Sequence, residues 1–126
     1  MINADAKKVV RGVVLKGVMM GRKINFPTIN VAYDFLDLPY GVYVSRVRTP
    51  FGFFKGALHF GPKSVFGVEE PSLEVHLLDF SGDLYGCEVL VEVFEKIRDV
   101  RSFDNMESLK KQIRLDVEYV REAVIR

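Results

Sequence analysis

The sequence has one cysteine and almost no net charge, and each scarcity argues against a class of protein. Cys87 cannot form an internal disulfide, and a lone cysteine is typical of a reducing compartment. The formal net charge of +1 lacks the basic excess of nucleic-acid binders and of polybasic membrane segments. No apolar run approaches a membrane span, and the first residues lack the apolar segment of a secretory signal. We therefore expect a cytoplasmic protein that binds neither nucleic acid nor membranes.

The size and composition of the chain indicate one globular domain. Its 126 residues suffice for one sizeable core and are too few for two ordinary domains. Hydrophobic residues make up 48% and charged residues 28%, which is a globular balance, and nothing in the chain repeats. We expect a single domain over residues 1–126, and a monomer.

Apolar alternation predicts a series of short strands. The predicted strands cover residues 9–15, 28–32, 41–48, 53–60, 73–80 and 88–97. Pro50 and Gly52 separate the third strand from the fourth, which predicts a hairpin. In the fifth strand, Glu74 and His76 share one face while the intervening apolar residues share the other.

The end of the chain changes period and predicts a helix. Apolar residues recur there every three or four positions, at Met106, Leu109, Ile113, Val117, Val120 and Val124. Asp104, followed three residues later by Glu107, predicts a capping box at the start of this helix. Short strands followed by one amphipathic helix that lies against them predict an antiparallel barrel.

Residues 17–30, which read GVMMGRKINFPTIN, combine glycines, two cations, a hydroxyl and an amide. Glycine lets backbone N–H groups approach an anion, cationic side chains meet its charge, and hydroxyl and amide oxygens are ligands that Mg²⁺ accepts. These parts are suited to a phosphorylated ligand. Taken alone, however, the segment is better explained as an ordinary glycine-containing loop before a strand.

Five segments together carry a family resemblance. They are GVMMGRKINFPTIN, LPYGVYVSRV, LEVHLLDFSGDLYG, IRDVRSF and ESLKKQIRLD, and their order and approximate spacing resemble those of the ATP-dependent riboflavin kinases. The resemblance implies a mainly β fold, a six-stranded antiparallel Greek-key barrel with a C-terminal helix. It also implies transfer of the γ-phosphoryl of ATP to the ribityl 5′-hydroxyl of riboflavin, giving FMN, with Mg²⁺ as cofactor. The adenylyltransferase domain that often accompanies such kinases is absent, so FAD synthesis is not expected.

The resemblance assigns roles to individual residues. Glu74 matches the catalytic base, and Thr28 and Asn30 match the residues that bind Mg²⁺ with the nucleotide phosphates. Five further matches fall on nucleotide contacts, namely Gly17, Arg22, Leu77, Asp79 and Tyr85. Three matches fall on the segment that closes over the flavin, namely Arg98, Arg101 and Phe103.

Plainer explanations of these residues stay open. Glu74, Arg98 and Arg101 also fit solvated surface charges, and Leu77 also fits a core position. The chain departs from the family at Asn25, at residues 18–20 and at residues 64–66, which leaves the preferred nucleotide open. The alternative function is a flavin- or FMN-binding regulatory domain with weak or no kinase activity, and a barrel used only for protein interaction is a third reading.

Overall fold

The computed structural model describes residues 6–16, 27–62 and 71–125. The described elements are strands β1 (Lys8–Leu15), β2 (Thr28–Ala32), β3 (Gly41–Thr49), β4 (Gly52–Pro62), β5 (Pro71–Leu77) and β6 (Glu88–Arg98), and helix α1 (Met106–Glu122). Every predicted strand is present, and the predicted hairpin joins β3 to β4. β5 ends at Leu77, three residues before the predicted end at Phe80.

The six strands close into an antiparallel barrel in the order β1-β2-β5-β4-β3-β6. β3, β4 and β5 follow one another, and β6 returns to lie beside β3, which is the Greek-key arrangement. The fold class predicted from the sequence is therefore confirmed.

The barrel is filled by apolar side chains because alternate residues of each strand point inward. In β5 the inward residues are Leu73, Val75 and Leu77, all buried in the core. Glu74 and His76 alternate with them and consequently face outward. This alternation was predicted, and it places the polar residues of β5 on the outer surface of the barrel.

Helix α1 packs on the outside of the barrel. Ile113, Val117 and Val120 form a second apolar cluster with Val44 and Phe94 of the barrel. The predicted apolar stripe is thus confirmed in its middle. At its ends Met106 is partly exposed, and Val124 lies exposed beyond the last helical residue.

The predicted capping box at Asp104 is wrong. The N-cap is Asn105, whose backbone is extended and whose Oδ1 accepts a hydrogen bond of 2.9 Å from the backbone N–H of Ser108. Asn105 immediately precedes the first helical residue, so its side chain reaches the third N–H of the helix. Glu107 then stands one position too early to complete a box.

Several sequence predictions concern residues outside the described ranges. Gly17, Arg22 and the family departures at residues 18–20, at Asn25 and at residues 64–66 all lie there. Among the described residues, no helix is long and apolar enough to cross a membrane.

Candidate active site

The outer face of β2, β5 and β4 carries a row of polar side chains. Asn30 of β2 lies opposite Glu74 of β5, and Glu74 lies opposite His59 of β4. Residues that are directly opposite on antiparallel strands point to the same face, with their Cβ atoms about 4.5–5.5 Å apart. An amide, a carboxylate and an imidazole therefore stand side by side.

A second pair lies two residues along the same strands. Thr28 is opposite His76, and its Oγ1 is 2.8 Å from His76 Nδ1. His76 is only 8% exposed. Burial lowers the pKa of His76 to about 4, with a smaller lowering from His59 and Arg98 and an opposing effect of Asp116. The His76 ring is therefore neutral near pH 7.

His59 stands beside Glu74 and is also held in its neutral form. Burial lowers the pKa of His59, and the Glu74 carboxylate opposes that shift. Within the described part of the chain, His59 Nδ1 is buried and has no hydrogen-bond partner. Glu74 itself is half-buried at the centre of the row.

The row continues around the barrel to Arg98. His59 lies opposite Val42 of β3, and Val42 lies opposite Arg98 at the end of β6. Arg98 donates from Nε to Asp116 Oδ1 at 2.9 Å and from Nη2 to Asp116 Oδ2 at 2.8 Å. The side chains of Arg98 and Asp116 are 17% and 3% exposed. Arg98 is thus half of a bidentate buried ion pair, and the solvated-charge reading does not hold for it.

The Phe103 ring lies near the guanidinium groups of both Arg98 and Arg101. The Cζ atoms of Arg98 and Arg101 are 5.9 Å and 5.2 Å from the centre of the Phe103 ring. Arg101 also donates from Nη1 to Gln112 Oε1 of α1 at 3.1 Å. Arg98, Arg101 and Phe103, which the sequence grouped together, therefore form one cluster held to the helix by Asp116 and Gln112.

Three of the nucleotide residues predicted from the sequence lie apart from the polar row. The Leu77 side chain lies in the barrel core, although its backbone N–H donates to Pro27 O at 2.8 Å. Asp79 has a positive φ of 59°, and its carboxylate lies 3.3 Å from Arg121 Nη1. Asp79 also lines a cavity of about 420 Å³ together with the phenylalanines of the β3–β4 hairpin and the loop after β5. Tyr85 is exposed in the loop before β6.

Three residues of this region were missed as site residues in the sequence, namely His59, Gln112 and Asp116. Asp116 could have been found from the sequence, because it lies on the apolar face of α1 between Ile113 and Val117. A carboxylate on a buried face needs a partner, so its position indicates a buried ion pair. The sequence does not single out His59, because its position opposite Glu74 depends on the register of β4 with β5.

The chain is similar to known proteins over most of its length. A family model described as flavokinase, riboflavin kinase, matches residues 5–124. The RNA-binding riboflavin kinase RibR of Bacillus subtilis (strain 168) is 39% identical over 113 residues, which are 89% of this chain and 49% of that protein. A bifunctional riboflavin kinase/FMN adenylyltransferase of Haemophilus influenzae is 40% identical over 109 residues, 85% of this chain and 35% of that protein.

A solved structure is similar as well. The crystal structure of a protein described as a macrolide-efflux protein from Streptococcus pneumoniae superposes with a TM-score of 0.81 and 34% identity. The match covers 92% of this chain and 39% of that one. The chain thus spans half or less of the length of each of these proteins.

Proposed function

The chain belongs to the riboflavin kinase family, and on that premise we propose that it transfers the γ-phosphoryl of ATP to the ribityl 5′-hydroxyl of riboflavin. The products are FMN and ADP. The observation that carries the proposal is the pairing of Asn30 with Glu74, with Thr28 two residues along β2. Oxygen donors for a metal–nucleotide complex then lie one strand, about 4.8 Å, from a carboxylate that can accept a proton.

Glu74 acts as the general base in this proposal. It accepts the proton of the 5′-hydroxyl while the hydroxyl oxygen forms its bond to the γ-phosphorus and the bond from that phosphorus to ADP breaks. Its fixed place on β5 supports this role, because a base must lie within hydrogen-bond reach of the proton that it takes.

Riboflavin kinases generally use ATP and a divalent metal, and we propose Mg²⁺ here. The Thr28 hydroxyl and the Asn30 amide oxygen suit it, since both are hard donors on one face of β2 and Mg²⁺ commonly takes only one or two ligands from the protein beside phosphate oxygens and water. When bound, the ion would neutralise charge on the phosphates. Gly17 and Arg22 would contact the nucleotide phosphates from the preceding segment.

We assign the remaining residues to contacts with the flavin and with the rest of ATP. Phe103 would stack on the isoalloxazine ring, and Arg98 and Arg101 would meet the phosphate of FMN. Asp79 and Tyr85 would contact the rest of ATP. Leu77 would contribute only through its backbone, because its side chain is in the core.

Three expectations about partners and place remain predictions. They are a cytoplasmic location, a monomeric state and the absence of a nucleic-acid partner. The relative named as RNA-binding does not decide the last of these, since this chain covers 49% of it.

Riboflavin turnover by the purified chain tests the proposal. We expect FMN, separated by chromatography, to accumulate with ATP and Mg²⁺ and to be absent without a divalent metal. The same assay with CTP in place of ATP measures the nucleotide preference. If the folded protein binds riboflavin but no nucleotide supports FMN formation, the kinase assignment fails and a flavin-binding regulatory domain replaces it.

A further inference from the structure

His59 has no role in the chemistry described so far, although it occupies the middle of the polar row. It lies directly opposite Glu74 of β5, so the two side chains point to the same face of the barrel. On its other side it lies opposite Val42, which in turn lies opposite Arg98 at the end of β6. His59 therefore separates the proposed base from the residues proposed to bind the flavin.

The segment that follows Arg98 comes close to the His59 ring at Gly61. A Cβ atom built on Gly61 would lie 3.0 Å from Val100 Cγ2 and 3.6 Å from His59 Cε1. Because glycine has no side chain, both groups can lie against the same stretch of β4. The segment from Arg98 to Phe103 thus passes beside His59.

One edge of the His59 ring is left to face a ligand. The residue is partly exposed, whereas its Nδ1 is buried and has no hydrogen-bond partner within the described part of the chain. Cε1 lies over Gly61. The other edge of the ring carries Nε2 and Cδ2, and of these two atoms only Nε2 forms conventional hydrogen bonds.

We propose that His59 binds the ribityl chain of riboflavin, with Nε2 in a hydrogen bond to one of its secondary hydroxyl groups. The inference rests on the proposed function, which puts the 5′-hydroxyl at Glu74 and the isoalloxazine ring on Phe103. The ribityl chain joins these two groups of the substrate, so it crosses His59. Since a hydroxyl group both donates and accepts, the contact forms whichever ring nitrogen carries the proton.

The role predicts a loss of affinity that depends on the ribityl chain. Losing one hydrogen bond between uncharged groups weakens binding by about 3–10-fold. Lumiflavin has the same ring system with a methyl group in place of the ribityl chain, so its affinity should not change. A merely structural role for His59 would weaken the binding of both flavins alike.

Two amide variants test this contact. His59→Gln keeps a polar group near the position of Nε2, whereas the shorter side chain of His59→Asn reaches only as far as the buried Nδ1. We would measure the affinities for riboflavin and lumiflavin by fluorescence quenching, that for ADP with Mg²⁺ by calorimetry, and each melting temperature. His59→Asn should bind riboflavin about 3–10-fold more weakly, with lumiflavin and ADP unaffected, while His59→Gln should bind riboflavin nearly as the unaltered protein does.

The ratio of riboflavin affinity to lumiflavin affinity decides the inference separately from turnover. An unchanged ratio in His59→Asn would overturn the role of His59, even if the unaltered chain forms FMN. A lowered ratio together with no FMN formation by the unaltered chain would overturn the proposed function and leave the ribityl contact standing. If the unaltered chain binds neither flavin, both proposals fail.

A measurement on the unaltered protein keeps the inference testable even if neither variant folds. The ¹⁵N chemical shift of an imidazole nitrogen responds to hydrogen bonding, and the two flavins present the same ring system to the protein. We expect His59 Nε2 to shift on addition of riboflavin and not on addition of lumiflavin. Equal shifts with the two flavins, or no shift with riboflavin, would overturn the inference.

Discussion

At the scale of single residues, burial sets the charge state of the two histidines beside Glu74. His59 and His76 both have a lowered pKa, because removing the imidazolium from water costs more than the nearby carboxylates return. Neutral rings place no imidazolium beside Glu74, which suits the role of general base that we propose for it.

The lowered pKa of His76 predicts that acid destabilises the fold. His76 titrates at about 4 in the folded state and near 6.5 when unfolded, so between these values the unfolded state binds more protons. The free energy of unfolding should therefore have its full value above about pH 6.5 and decrease as the pH drops toward 4. The decrease due to His76 alone should be about 3 kcal/mol. His59 acts in the same direction.

Urea denaturation at pH 7 and pH 5 measures this effect, with His76→Asn as the comparison. The variant should lose less stability than the unaltered protein between the two pH values, because asparagine does not titrate. An equal loss in both proteins would show that His76 is not the group responsible.

At the scale of elements, helix α1 is held to the barrel by an apolar stripe and by the buried ion pair between Asp116 and Arg98. Asp116 stands within the stripe and binds Arg98 at the end of β6 with two hydrogen bonds. Gln112, one turn earlier, donates to the same carboxylate at 3.0 Å and accepts from Arg101. The helix thereby fixes two of the residues proposed to meet the flavin phosphate.

Replacement of Asp116 by alanine should be strongly destabilising. It leaves the largely buried Arg98 guanidinium without its carboxylate, and breaking a buried pair from one side costs about 3 kcal/mol. Chemical denaturation gives the free energy of unfolding. Glu107→Gln is the control, because its exposed pair with Lys110 is 4.0 Å long and should contribute less than about 0.5 kcal/mol. Similar losses in the two variants would contradict a special role for Asp116.

The start of the helix provides a second test at this scale. Asn105→Ala should lower the free energy of unfolding by about 1 kcal/mol, since it removes the acceptor for the N–H of Ser108. Asp104→Ala, one residue earlier, should change it by only a few tenths of a kcal/mol. Thermal unfolding of both variants decides the point, and a larger effect at Asp104 would restore the capping box predicted from the sequence.

Elements and their faces could be predicted from the sequence where side-chain periodicity decides them. The alternation in β5 predicted that Glu74 and His76 face away from Leu73 and Val75, and the structure agrees. The helix start was predicted one residue too early, because aspartate and asparagine are comparable N-caps and both stand there. The local pattern cannot choose between them, whereas the backbone conformation at Asn105 does.

At the scale of the whole molecule, the pairing of neighbouring strands around the barrel creates the proposed site. Asn30, Glu74, His59 and Arg98 come from four strands, and only the register of those strands places them in one row. Family motifs indicated Asn30, Glu74 and Arg98 individually. The place of His59 in the row could not be predicted, because a shift of one residue in β4 would turn its side chain to the opposite face.

The most direct test of this account is the turnover of Glu74→Gln. Glutamine keeps the size of the side chain but cannot accept the hydroxyl proton, so we expect kcat for FMN formation to fall by about 10²- to 10⁴-fold. Riboflavin affinity, ADP affinity with Mg²⁺ and the melting temperature should stay close to those of the unaltered protein. Glu88→Gln, which alters an exposed carboxylate on β6, should keep full activity. A Glu74→Gln protein that turns over riboflavin at the unaltered rate would contradict the assignment of the base.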